Sequence, residues 1–105
     1  MKTYIFTILQ VNEDNENSRH IMFSDLEFIR KYNLPLSIDI YNNVYEGEIT
    51  TESENTTDIL DDIYRKFNIA RPEDFKGHSL STSDVIKMDG KHYFCDRFGW
   101  EEITL

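Results

Sequence analysis

Cysteine, proline, glycine and cations are all scarce in this 105-residue chain, and each scarcity excludes something. A single cysteine, Cys95, rules out a disulfide within the chain and points to a reducing, cytoplasmic setting. The 4 glycines stand singly at positions 47, 77, 90 and 99, so no glycine-rich loop is available to cradle a phosphate. Only 11 Lys and Arg oppose 20 Asp and Glu, giving a formal charge of −9. A field of that sign repels nucleic-acid phosphates and anionic lipid headgroups. The expected partner is therefore a basic or neutral protein, with no direct nucleic-acid binding and no membrane association. No run approaches the roughly 20 apolar residues of a membrane span. What is present is a 39% hydrophobic and 13% aromatic composition, enough for one small core in a single domain over residues 1–105. A core of that size leaves little room for a deep cavity, so the working part is expected to be a shallow surface.

Residues 1–11 carry one cation and an apolar stretch, but Thr7 and Gln10 interrupt it and no small-x-small cleavage site follows. The segment reads as a strand with apolar groups on both faces, hence an interior strand covered at least partly on each side. Residues 12–17 form a polar, solvated connection, and residues 20–23 a short extended piece. Ser24 and Glu27 have the spacing of a capping box, with Phe23 and Phe28 as its staple. A helix should run over residues 25–32, turning Leu26, Ile29 and Tyr32 to the sheet, and stop at Asn33 and Pro35. The pattern is extended from Leu36 to Tyr45, with a turn or bulge at Asn42 and Asn43, and Gly47 closes it.

Residues 46–62 hold 7 acidic residues and no Lys or Arg. The second half enters a helix at Thr56 or Thr57. Asp58, Asp61 and Asp62 lie in its first turns and Arg65 and Lys66 in its last, matching the helix dipole at both ends. Ile59, Ile63 and Phe67 recur at four-residue spacing, a buried stripe behind an acidic outer face. Residues 71–75 suit a single turn with Pro72 at its start. Asp89 and Gly90 between two apolar runs predict a two-residue hairpin, pairing Met88 with Lys91, Lys87 with His92, Ile86 with Tyr93 and Val85 with Phe94. A last short strand containing Trp100 and Ile103 follows a turn at residues 97–99.

Several groupings invite a chemical reading. His92 and Cys95 could ligate a metal, yet side chains three apart on a strand project to opposite faces, and Cys95 reads as a small core hydrophobe. His78, Ser79 and Asp84 include the residue types of a hydrolytic triad, but they crowd one short stretch without a nucleophile elbow, and local backbone hydrogen bonding is the simpler role. No catalytic, metal or cofactor site is expected. The acidic face is either a solvated helix surface, a docking site for a basic partner, or an imitation of the phosphates that a DNA-binding protein would otherwise grip.

The run from Ile63 to Ile86, containing Phe67-Asn68, Pro72, Asp74-Phe75, Gly77, Ser79-Leu80-Ser81 and Ser83-Asp84-Val85, followed by Tyr93-Phe94 and Phe98-Gly99-Trp100, resembles the YodL-like domain family. The close likeness spans about half the chain. In the family pattern Arg is common where this chain has His78, and Phe where it has Trp100. The resemblance implies a small domain of bacteria and their mobile elements, found alone or within large phage and conjugative-element proteins, with no enzymatic activity established for the class. In physical terms the motif reads mainly as architecture. Gly77 permits a tight backbone, Ser81 and Asp84 satisfy loop amides, and Phe75, Leu80, Phe98 and Trp100 close the end of the core.

These readings together predict an α+β fold, with a mixed or mainly antiparallel sheet of about four or five strands and two helices packed on it. The function they favour is non-catalytic protein binding through Asp58, Asp61 and Asp62 and the loop residues Gly77, His78, Ser79, Ser81 and Ser83. An acidic DNA-mimic inhibitor is the first alternative, and a small hydrolase using His78 with Ser79 or Cys95 the second.

Overall fold

The computed structural model describes residues 1–16 and 18–105. In chain order the elements are β1 (Lys2–Val11), α1 (Leu26–Lys31), β2 (Tyr41–Thr51), α2 (Thr56–Ile69), β3 (Val85–Met88), β4 (Lys91–Asp96) and β5 (Gly99–Ile103). The strands form one antiparallel sheet in the order β2-β1-β3-β4-β5, and with the two helices this is the α+β arrangement the sequence predicts. β1 lies inside the sheet because both its faces are apolar. Phe6 and Ile8 join Ile86 and Met88 beneath Ile59, Leu60, Ile63 and Phe67 of α2. The alternate residues Leu9 and Val11 join Val85 and Phe94 on the other face, beneath Leu26 and Ile29 of α1. The Phe67 ring lies 5.9, 5.0 and 4.9 Å from those of Phe6, Tyr45 and Phe75, all three edge-on.

The hairpin has the predicted register, residue for residue. Asp89 and Gly90 adopt φ of 54° and 75°, the doubly positive turn that matches strand twist. α2 begins at an Asn55 cap, whose side chain accepts from the Asp58 N–H, and buries the expected Ile59, Ile63 and Phe67. α1 is closed off by Asn33, just past the Tyr32 cap, where φ is 50°. The Asn33 N–H reaches the Arg30 carbonyl, and the Leu34 N–H the Ile29 carbonyl, a Schellman closure just before Pro35.

Other expectations need correction. The cap of α1 is Asp25, not Ser24: its carboxylate accepts from the Phe28 N–H at 2.8 Å, while the Ser24 hydroxyl donates back to the His20 carbonyl at 2.6 Å. A charged acceptor makes the stronger cap bond, so the helix starts one residue late. Residues 20–23 are a chain of turns rather than extended, carrying buried Ile21 inward. Phe23 takes φ of 65° and swings toward His78, 5.5 Å between rings, instead of stapling onto Phe28. Tyr32 is 57% exposed, because α1 stops before it. Ile5 is 69% exposed, since the α1 layer covers only the far end of β1. Residues 38–40 form a 3-10 turn, and β2 starts at Tyr41, bulges beside Val44 and runs through Gly47 to Thr51. Phe98 does not close the core: it is 90% exposed on the two-residue turn joining Asp96 to Gly99. The connection over residues 12–16 is held by turns, and Ser18 is buried with its hydroxyl donating to the Asn12 and Asn15 carbonyls. Asn17, the last residue of the predicted polar connection, lies outside the described residues.

Candidate functional site

The loop between α2 and β3 must cross the end of the sheet with few apolar residues to bury, so its backbone polar groups need partners. Asn68, on the last turn of α2, supplies two of them. Its Oδ1 accepts from the Leu80 N–H at 2.7 Å and its Nδ2 donates to the Leu80 carbonyl at 3.1 Å. The side-chain amide thus pairs with Leu80 as a strand would, and holds that buried side chain in the core.

Asp84 supplies the next, from a side chain only 1% exposed. Its Oδ2 accepts from the Ser81 N–H at 3.0 Å and from Gln10 Nε2 at 3.1 Å. Gln10 is itself buried in β1, and the same amide donates to the His78 carbonyl at 2.8 Å. The two amide hydrogens are then used, and His78 Nδ1, 2.7 Å from the Ser79 carbonyl, is the donor in that contact. Among the described residues, His78 Nε2 is buried without a partner, as is the Ser81 hydroxyl. Tyr41 closes the far side with its hydroxyl donating to the Ser83 carbonyl at 2.7 Å. Burial pushes the Asp84 carboxyl up to about 6, against the opposing pull of the Ser81 amide, His78 and Gln10. Burial likewise raises the Tyr41 hydroxyl, with the Asp84 charge adding to it.

Gly77 is required by close approach. A Cβ there would stand 2.4 Å from Gln10 Oε1 and 3.0 Å from the Phe75 ring. Gly77→Ala is expected to cost about 1–2 kcal/mol, read as a lowered urea midpoint with unchanged slope, because Gln10 cannot move without releasing Asp84.

The same geometry separates the members of the supposed triad. Ser79 Oγ accepts from Arg71 Nη2 at 2.5 Å, His78 Nδ1 is turned to a backbone carbonyl, and the Asp84 contacts are those given above. None of the three is aligned to pass a proton to the next. His92 and Cys95 pair with Ile103 and Trp100, residues that belong to opposite faces of the sheet. The Cys95 thiol is buried and pushed up to about 12, first by burial and then by Asp84, Asp96 and Asp61, which keeps it from acting as a thiolate. His92 is shifted down by burial and by Lys87. Among the described residues no three His, Cys, Asp or Glu side chains gather as a metal site.

The predicted partner-binding residues divide into two sets. Ser83 is buried, with its hydroxyl accepting from the Phe23 N–H at 2.9 Å, and Gly77, His78 and Ser81 are half-buried in the network around Asp84. Of the loop residues named, Ser79 alone is exposed. Asp58 and Asp61 stand exposed on α2 and Asp62 half-exposed, paired with Arg65 at 3.0 Å. Asp61 is fixed from outside its helix: Trp100 Nε1 on β5 donates to its Oδ1 at 3.0 Å, and the Trp100 ring meets Tyr64 edge-on at 6.3 Å. These three side chains line a depression of about 190 Å3 together with Thr82, Cys95, Asp96 and Arg97. The acidic helix and the motif loop therefore meet, through Thr82 rather than through the serines.

Sequence reasoning missed Gln10, Tyr41 and the Asp61–Trp100 pair. A lone amide within an otherwise apolar strand was the available signal for Gln10, since a polar residue at a buried position demands a partner. Residues 5–105 match the family model of the YodL-like domain. Neither the curated proteins nor the solved structures contain a match to the chain.

Proposed function

The chain belongs to the YodL-like domain family, and on that footing we propose that it is a non-catalytic protein-binding domain, an accessory part of a bacterial or mobile-element protein, whose docking surface is the acidic face of α2. The observation that carries this reading is the anchoring of Asp61 by Trp100 at the mouth of a concave, aromatic-walled depression. A merely solvated acidic face needs no such anchor. A carboxylate held beside a Trp–Tyr corner suits a guanidinium or ammonium group, which gains from both the charge and the ring faces. Asp58 and Asp62 extend the same field along the helix, and the net charge of −9 favours a basic partner at long range. The unpaired Cys95 fits a reducing cytoplasm. Among the described residues no helix is long and apolar enough to cross a membrane.

The test is affinity capture from the native host with the parent chain and with the triple variant D58K/D61K/D62K. The variant should keep the parent circular dichroism and lose the captured protein. Binding of that protein to the parent should weaken steeply as salt is raised from about 0.05 to about 0.5 M, because both charged surfaces are exposed. Capture that survives the triple reversal removes α2 as the docking surface.

A further inference from the structure

A second surface lies beside α1 and shares only Thr82 and Arg97 with the depression at α2. Two shallow depressions meet at Arg97. Phe23, Phe28 and Thr82 line one of about 240 Å3, and Phe28, Lys31 and Tyr32 line the other of about 260 Å3, with Asp25 and Arg97 shared by both. The Phe23, Phe28 and Tyr32 side chains are 59, 43 and 57% exposed. Isolated exposed rings are ordinary, but three around adjoining hollows are the composition of a contact surface. Phe23 is the most telling. Its φ of 65° is rare for a bulky residue, and its N–H is held by the hydroxyl of buried Ser83. An inward anchor thus sustains a costly backbone conformation while the ring it carries stays in water.

The charged side chains that line the patch balance, Asp25 and Glu27 against Lys31 and Arg97. Arg97 Nε lies 3.3 Å from Asp25 Oδ2, and Lys31 Nζ sits 5.5 Å from the centre of the Tyr32 ring. Nearby Arg30 is paired with Glu101 at 2.5 Å. We propose that this surface docks an apolar segment of a second protein, which places one bulky side chain on each side of Phe28. Charge selects that occupant. A second copy of the chain brings another −9 to the interface, and an anionic lipid surface is repelled in the same way, whereas an uncharged apolar segment meets neither penalty. Such docking is insensitive to salt, unlike docking at α2.

The test is selection from a random-peptide display library on the parent chain, with counter-selection on the variant F28S/Y32S. The two rings pack against each other at 4.8 Å outside the core, so the variant should keep the parent circular dichroism and a cooperative melt. The expected result is a set of peptides sharing paired bulky apolar residues at one spacing. Their Kd should rise about tenfold or more in F28S, and should change less than about twofold between about 0.05 and about 0.5 M NaCl or on D58K/D61K/D62K. The proposal is overturned if no such peptide is enriched, or if the enriched peptides are basic and bind F28S normally. It is equally overturned if the patch instead drives dimerisation of the chain, or binding to phosphatidylglycerol vesicles, that F28S abolishes.

Discussion

Asp84→Asn should unfold at a higher urea concentration than the parent chain at pH 8, and Asp84→Ala at a lower one. The parent carboxylate accepts two hydrogen bonds at Oδ2 while almost wholly removed from water. An asparagine carbonyl at the same place accepts both and carries no charge, so the substitution removes the burial penalty and keeps the bonds. The pH dependence fixes the sign. Burial pushes the carboxyl up to about 6 in the folded chain from its ordinary 3.8, so between those values the native state holds a proton that the unfolded state has released. Stability from this group is then fully present below about pH 4 and is lost as pH rises through about 6. A displacement of that size corresponds to about 3 kcal/mol at neutral pH. The measurement is urea unfolding of parent and variant at a series of pH values, read as the difference between them, which cancels the shared repulsion among the surface acids. The expected difference favours the variant by up to about 3 kcal/mol above pH 7 and shrinks toward zero near pH 4. A constant difference across that range would show that the Asp84 carboxylate carries no burial penalty. Asp84→Ala leaves the Ser81 N–H and one Gln10 amide hydrogen without an acceptor and should lose about 2 kcal/mol at pH 8 and more near pH 4, where the parent no longer carries the buried charge.

The parent chain retains Asp84 despite that penalty, and the network around it supplies a reason. A buried charge with two specific donors fixes one arrangement of the loop, where neutral packing alone would tolerate several. The loop in turn sets Ser83, and Ser83 sets Phe23. The position of the exposed Phe23 ring thus descends from a carboxylate in the interior. Thr82, between Ser81 and Ser83, carries the same constraint to the depression beside Asp61 and Trp100.

Local chemistry was what the amino-acid sequence made legible. The Asp89–Gly90 turn leaves the hairpin a single register, and the recurrence of Ile59, Ile63 and Phe67 leaves α2 a single buried face, because in both cases the decisive residues are near neighbours in the chain. The acidic outer face followed from the same periodicity. Pairings between distant segments were another matter. Gln10 meets Asp84 across 74 positions and Trp100 meets Asp61 across 39, and nothing local announces either. The Asp25 cap shows the limit within local reasoning itself: two adjacent residues could each cap α1, and the stronger acceptor prevailed. Phe98 misled for a related reason, since an aromatic residue in a tight turn can point outward whatever its hydrophobicity, and turn geometry decided.

Asn68→Ala is expected to be the most damaging single change in the loop network, at about 2–4 kcal/mol. The asparagine forms both a donor and an acceptor bond with the backbone of Leu80, at 3.1 and 2.7 Å. Each orphaned, partly buried main-chain group costs about 1–3 kcal/mol, and the two losses are coupled because they share one residue. The consequence reaches further than the two bonds. Leu80 is 2% exposed and packs in the core with Phe67 and Phe75, so release of its backbone loosens the aromatic cluster as well. Asn68→Asp separates the two contributions. It keeps the acceptor for the Leu80 N–H, but sets a carboxylate oxygen against the Leu80 carbonyl, and should fall between the parent and the alanine variant or below both according to how much water reaches the pair. Urea midpoints report the total cost. Amide hydrogen exchange at Leu80 reports the local one, and protection there should collapse in the alanine variant while the β3–β4 hairpin amides keep theirs. Unchanged protection at Leu80 would mean that the Phe75 and Leu80 side chains, not the Asn68 amide, hold the loop in place.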